Sequence, residues 1–145
     1  VGGPGFQVDY RHHFSVSAMS DVKACFIDIK SFEDMLKTNN SFTMEFVKHL
    51  NNASILLYNK MQNLVQKQMH GRIAETLLYL SNAIYNNINF ETPLTRQDIA
   101  DMSGMTKESA IRIMKELKDE GIIECEANRF TILNKDQLAS ISQTG

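Results

Sequence analysis

The chain has 145 residues, 43% of them hydrophobic and 22% charged, with a formal net charge of −2. This is ordinary globular composition, enough for one domain or two small ones, and it excludes a globally basic nucleic-acid binder. Cys25 and Cys125 are the only cysteines, which excludes a disulfide framework and any cysteine-based metal spacing.

No apolar run approaches the length of a membrane span, and no secretory leader is recognisable. The expectation is a cytoplasmic protein in a reducing compartment, with no membrane partner. The sequence opens at Val1 rather than Met, with Gly2, Gly3, Pro4 and Gly5 following, and is expected to begin part-way into a longer protein.

Residues 1–5 read as loop. Phe6 to Tyr10 alternates loosely as a strand would. Phe14, Val16 and Ala18 alternate with Ser15, Ser17 and Met19 as a second strand. Val22 to Ile29, rich in β-branched and aromatic residues, predicts a third after a turn at Asp21. Three short strands cannot enclose a core alone, so they are expected to be the end of a larger β structure. His12 and His13 follow Arg11, but the other histidines, His49 and His70, fall on predicted helices. No metal-ligand set results, and no metal is expected.

Ser31 is placed to cap a short helix ending at Asn39 and Asn40. Ser41 then opens a long one, with no Pro or Gly from Phe42 to about Gln68, a rod of about 40 Å. Val47, Leu50, Ser54, Leu57, Met61 and Leu64 fall on alternating three- and four-residue steps, a heptad seam with one polar position, flanked by Phe46, Ala53 and Val65. With so small a β fragment upstream, this seam is expected to be a dimer interface. His70 and Gly71 break the rod. Arg72 to Tyr85 is apolar nearly all round its middle and should be a central buried helix. Residues 86–93 read as an Asn-rich loop.

The next stretch organises the rest: LTRQDIADMSGMTKESAIRIMKELKDEG, from Leu94 to Gly121. Thr95 is a good N-cap, and Asp98 three residues on completes a variant capping box. Gly104 suits a left-handed turn. Thr106 caps again with Glu108 in the first turn. Ala110, Ile113, Met114 and Leu117 then repeat at helical spacing, which buries one face. Lys107, Glu108, Ser109, Ile111, Arg112, Lys115 and Lys118 are left on the outward side. Two helices joined by so tight a turn must cross steeply, the geometry of a DNA-reading pair. From Thr106 to Lys118 four basic residues face two acidic ones, which suits a sequence reader with modest non-specific affinity. Residues 122–125 and 130–133 predict a hairpin around the loop 126–129, and Asn134 caps a last helix holding Leu138 and Ile141. The fold class is mainly α with small β elements: a winged helix-turn-helix domain preceded by a long dimerisation helix and the end of a larger β structure.

The runs GRIAETLLYL and LTRQDIADMSGMTKESAIRIMKELKDEGIIE resemble the Crp/Fnr family of bacterial transcription regulators. The resemblance covers most of the chain. It implies that the β structure is the tail of a β-roll sensor domain, a cyclic-nucleotide-binding-like remnant over 1–36, followed by a dimerisation helix over 37–69 and a winged helix-turn-helix domain over 70–145. It further implies a homodimer that binds double-stranded DNA at a two-fold symmetric site through a recognition helix at 106–120, and it admits RNA polymerase as a further partner.

In that family a Glu and an Arg four residues apart read bases of TGTGA-like half-sites. Here they are Glu108 and Arg112, one turn apart on one face. Arg can donate twice to guanine O6 and N7, and Glu can accept from cytosine N4. Lys107 stands where some members place another guanine-reading Arg, without that fork geometry. Ser109 and Ile111 complete the base-reading set, their bases unassigned. Thr95, Arg96, Thr106, Lys115 and Arg129 are the phosphate contacts that the resemblance implies, with a solvated surface role open for Arg96 and Arg129.

The family's cyclic-AMP binders carry a Gly-Glu-Leu loop and an Arg-Ser or Arg-Thr clamp. Here the clamp position falls at His12 and His13, or at Arg11 and His12, and no Gly-Glu-Leu occurs. No cyclic nucleotide and no cofactor are expected, and the effector is unknown. Nor is an enzyme expected, since the sequence offers no paired carboxylates in a credible cleft, nucleophile elbow or phosphate-binding loop. The alternative is a ligand-sensing or protein-interaction module on the same fold that has lost DNA reading.

Overall fold

A computed structural model describes residues 5–18 and 21–144. The core lies in the second half of the chain. Ahead of the core stands a pair of helices, α1 (Ile29–Thr38) and α2 (Asn40–Gln66). Asp28 caps α1, its side chain accepting from the Ser31 N–H at 3.1 Å, so the cap lies three residues before the Ser31 of the sequence expectation. Asn39 ends α1 and caps α2, accepting from the Phe42 N–H at 3.0 Å. Phe32 holds the elbow, with the rings of Phe6, Phe42 and Phe46 edge-on to it at 5.3, 5.6 and 5.1 Å.

The three strands expected before residue 30 are a correction. Residues 5–9 form a turn closed by the Val8, Asp9 and Tyr10 N–H groups on the Gly5 carbonyl, and Ile29 already belongs to α1. Among the described residues of 10–28 there is no strand either. Met19, at the end of the second expected strand, lies outside the described residues. The apolar side chains of this stretch are exposed, Phe26 completely. A strand forms only where a neighbour completes its hydrogen-bond ladder, and none runs alongside.

The α2 rod spans 27 residues. It stops at Lys67, just before the break expected at His70 and Gly71. Gly71 instead lies buried in the first turn of α3 (Met69–Tyr79), which continues through a π-helical turn at Leu80–Ile84. As expected, this helix is central: Ile73, Ala74, Leu77 and Leu80 are buried with Ile99, Ile113, Leu117, Ile122 and Leu138 in one cluster. Burying a Leu or Ile side chain is worth about 1.5–3 kcal/mol, so this cluster dominates the stability of the domain. Glu75 of α3 holds Lys67 at 2.8 Å and accepts from Ser142 at 2.6 Å, tying the α2–α3 junction to α6 (Lys135–Thr144).

The loop expected at 86–93 contains a strand, β1 (Asn89–Glu91). With β2 (Ile123–Glu126) and β3 (Arg129–Ile132) it forms an antiparallel sheet of order β1-β3-β2, Phe90 opposite Phe130 and Cys125 opposite Phe130. Three residues are too short for a period-two pattern to show in the sequence. The hairpin loop is also tighter than expected. Glu126 pairs with Arg129, leaving Ala127 and Asn128 as the turn, Ala127 at φ +47°.

Candidate nucleic-acid interface

Between the sheet's first and second strands lie α4 (Arg96–Met102) and α5 (Lys107–Asp119). The start of α4 is the capping box read from sequence: the Asp98 N–H donates to Thr95 Oγ1 at 3.2 Å, and the Thr95 N–H donates to Asp98 Oδ2 at 2.7 Å. Hydrogen bonds from the Thr95 hydroxyl and backbone hold the Asp98 carboxyl below the usual aspartate range. The end of α4 is a paired closure: Gly104 N–H on the Asp101 carbonyl and Met105 N–H on the Ala100 carbonyl, with Gly104 at φ +62°. Thr106 then caps α5, accepting from the Ser109 N–H at 3.3 Å. Gly121 closes α5 in the same way, its N–H on Lys118 and that of Ile122 on Leu117.

These caps fix which face of α5 is free. Ala110, Ile113, Met114 and Leu117 are buried; Lys107, Glu108, Ile111, Arg112 and Lys115 are exposed. Ser109 is half-buried. Lys118 departs from its expected outward place: it pairs with Glu124 of β2 at 2.5 Å and donates to the Cys125 carbonyl at 3.4 Å. The hydrogen bond to Glu124 raises its pKa above the ordinary lysine value.

Arg112 Nη1 donates to Glu116 Oε1 at 2.7 Å, and the other carboxylate oxygen, Oε2, meets His70 Nε2 of α3 at 2.7 Å. His70 first and Arg112 second hold the Glu116 carboxyl below its ordinary range. Glu116 is not among the candidates that the sequence marks. Its four-residue step from Arg112 was visible, whereas the His70 contact spans 46 positions and has no local signature.

The remaining candidates divide. Thr95, Thr106 and Lys115 are exposed. Arg96 is half-buried, its guanidinium 4.7 Å over the Phe130 ring. Arg129 lies 3.8 Å from Glu91 across the β1–β3 register. Phe130 stacks on Phe90 at 5.5 Å, and Phe90 on Tyr85 at 5.0 Å. The Thr92 N–H donates to the Asn128 carbonyl at 3.0 Å. The hairpin is therefore fastened to the segment ahead of α4 as well as to α5.

The end of α2 touches the turn between the two helices. Lys60 donates to the Met102 carbonyl, Leu64 packs on Gly104, and Arg72 donates to the Gly104 carbonyl at 2.8 Å. Burial lowers the Lys60 pKa, with Arg72 adding to the effect and Glu75 opposing it. Other members of the expected seam stand open: Leu57 is 62% exposed, Met61 56% and Leu50 49%. Ser54 returns its hydroxyl to the Leu50 carbonyl at 3.0 Å. His12 is exposed, and His13 pairs with Asp9 at 3.0 Å. Among the described residues no helix is long and apolar enough to cross a membrane, and no three His, Cys, Asp or Glu side chains cluster as metal ligands would.

Residues 71–141 match the Crp-like helix-turn-helix domain. The chain is 26% identical over 134 residues to the anaerobic regulatory protein of Bacillus subtilis, covering 90% of this chain and 56% of that protein. It is 27% identical over 124 residues to the cAMP-activated global transcriptional regulator CRP of Pasteurella multocida, covering 81% and 57%. It thus spans a little over half the length of these relatives. The fold is shared with FixK2 from Bradyrhizobium japonicum at a TM-score of 0.74 and 20% identity, over 80% of this chain and 59% of that one. Residues 71–141 thus carry a Crp-like helix-turn-helix domain, and the chain as a whole is similar to these bacterial regulators.

Proposed function

We propose that the chain is the DNA-reading and dimerising part of a sequence-specific transcription regulator acting in the bacterial cytoplasm. Residues 70–145 read DNA, 37–69 pair two copies, and 1–36 are the end of a sensor domain whose effector is unassigned. The observation that carries this reading is the face of α5: Glu108 and Arg112 stand one turn apart and exposed on a helix whose opposite face is wholly buried. An acceptor and a forked donor at that spacing match cytosine N4 and guanine O6/N7 in the major groove. Lys107, Ser109 and Ile111 complete the reading face, and Thr95, Arg96, Thr106, Lys115 and Arg129 contact phosphates.

The open stripe of Val47, Leu50, Ser54, Leu57, Met61 and Leu64 supports pairing, since contiguous exposed apolar surface marks an interface. A dimer places two recognition helices one helical turn of DNA apart. RNA polymerase is a further partner in this reading, and no catalytic step belongs to it.

Selection of bound sequences from random duplexes tests it. The expected result is a two-fold symmetric site with guanine-containing half-sites. For Arg112→Ala the expected result is a loss of about 1–3 kcal/mol with relaxed discrimination at one base pair. No enriched sequence, or weak and salt-independent binding, overturns it.

A further inference from the structure

The side chain that fixes the reading arginine is Glu116. Each of its carboxylate oxygens has one partner, Oε1 taking Arg112 Nη1 and Oε2 taking His70 Nε2, both at 2.7 Å. The three residues are all partly open to water, with side chains 54%, 39% and 42% exposed for Arg112, Glu116 and His70. The link thus runs along the surface from α3, which is packed into the core, to the outward face of α5. Arg112 makes no ion pair with Glu108 among the described residues; its partner lies one turn further from the helix start.

We propose that Glu116 is a positioning residue for DNA reading: held by His70, it orients Arg112 so that the Nε–Nη2 edge of the guanidinium faces guanine. This rests on Arg112 being a base reader. The contact occupies Nη1 alone, and a guanidinium carries five N–H donors in a rigid plane. Fixing Nη1 against a carboxylate fixes that plane and leaves the Nε and Nη2 donors, parallel and on one side, for O6 and N7. A free arginine must give up rotamer freedom when it binds, and an anchored one has already done so. A carboxylate near DNA also repels phosphate, so Glu116 acts in two opposed directions. It sharpens the choice of base and weakens non-specific attraction.

The opposed signs give the test. With the full chain, fluorescence anisotropy at fixed salt compares the best selected duplex, a duplex altered at the base pair that Arg112 reads, and an unrelated duplex. Glu116→Ala is expected to reduce discrimination at that base pair roughly three- to tenfold, part of what a bidentate contact contributes, while binding to the unrelated duplex holds or strengthens. Glu116→Gln, which keeps an acceptor for Nη1, retains part of the discrimination. His70→Ala loses some, and Glu116→Ala adds nothing in an Arg112→Ala background. Discrimination unchanged by Glu116→Ala, or affinity lost equally for all three duplexes, overturns the positioning role while the effect of Arg112→Ala leaves the reading itself standing. Discrimination unchanged by Arg112→Ala overturns the reading and this role with it.

Discussion

Leu64 of the long helix lies directly against Gly104 in the turn between the two reading helices, so closely that a Cβ built on Gly104 would overlap its methyl group. Gly104 also stands at φ +62°, where an L side chain costs roughly 1–2 kcal/mol. Gly104→Ala is therefore expected to lose that amount and more. Each kcal/mol corresponds to about 4–8 °C of melting temperature for a domain of this size. Adding Leu64→Ala relieves the overlap but not the backbone strain, so the double variant should recover only part of the loss in a thermal melt. Full recovery would show that the backbone conformation costs nothing.

The Thr95–Asp98 box gives a second expectation. Thr95→Ala removes the acceptor for the Asp98 N–H at the start of α4 and should destabilise by about 0.5–2 kcal/mol. In urea the midpoint should fall with an unchanged slope, because the surface exposed on unfolding stays the same. No shift in midpoint would mean that solvent replaces the cap without loss.

Acid should act through Glu75 and Glu116. Burial by itself would raise the Glu75 pKa, but the hydrogen bonds from Lys67 and Ser142 outweigh it and the net value lies below 4.5. Glu116 is lowered by His70 and Arg112. A carboxyl with a depressed folded-state pKa binds its proton more readily when unfolded. Its contribution is therefore present above the ordinary value of 4.5 and is lost as pH falls through the folded value. Urea midpoints should hold from neutrality to about pH 5 and drop below 4.5 as these groups take up protons. Glu75→Gln should lie lower near neutrality and converge on the parent in acid. Parallel curves would remove Glu75 from the acid response.

Leu57 separates pairing from folding. It is 62% exposed in the single chain, so Leu57→Lys should leave the helical circular dichroism of the monomer intact. In the heptad seam a charge is costly. Sedimentation should show monomer replacing dimer, with DNA affinity falling along with it. A variant that stays dimeric would place the interface elsewhere.

Lys115 and Arg112 should differ in kind. Lys115→Ala is expected to weaken binding to all duplexes alike and to reduce the salt slope by about one. Base-specific loss on Lys115→Ala would move it into the base-reading set.

Local chemistry made the reading pair legible in the sequence. Thr95, Asp98, Gly104, Thr106 and Gly121 each act within a few residues of themselves, and caps and left-handed glycines are local events. The buried face of α5 followed from spacing alone. Long-range contacts carried no such mark. The strand Asn89–Glu91 and the Glu116–His70 link depend on partners far along the chain. The strands expected before residue 30 show the converse: Val22 to Ile29 has β composition, yet composition does not supply a neighbouring strand. Lys118 looked outward on a helical wheel until β2 brought Glu124 beside it.

The stack of Tyr85, Phe90 and Phe130, with Arg96 on the far ring, means that the hairpin behaves as a fixed jaw rather than a flap. Because β3 is hydrogen-bonded on both edges, its amides should be among the slowest to exchange with deuterium. In the proposed reading, a duplex held by α5 and the hairpin tip together would meet a preformed surface that needs little ordering on contact. Association should then be limited by diffusion and charge steering, with no slow closing step after encounter.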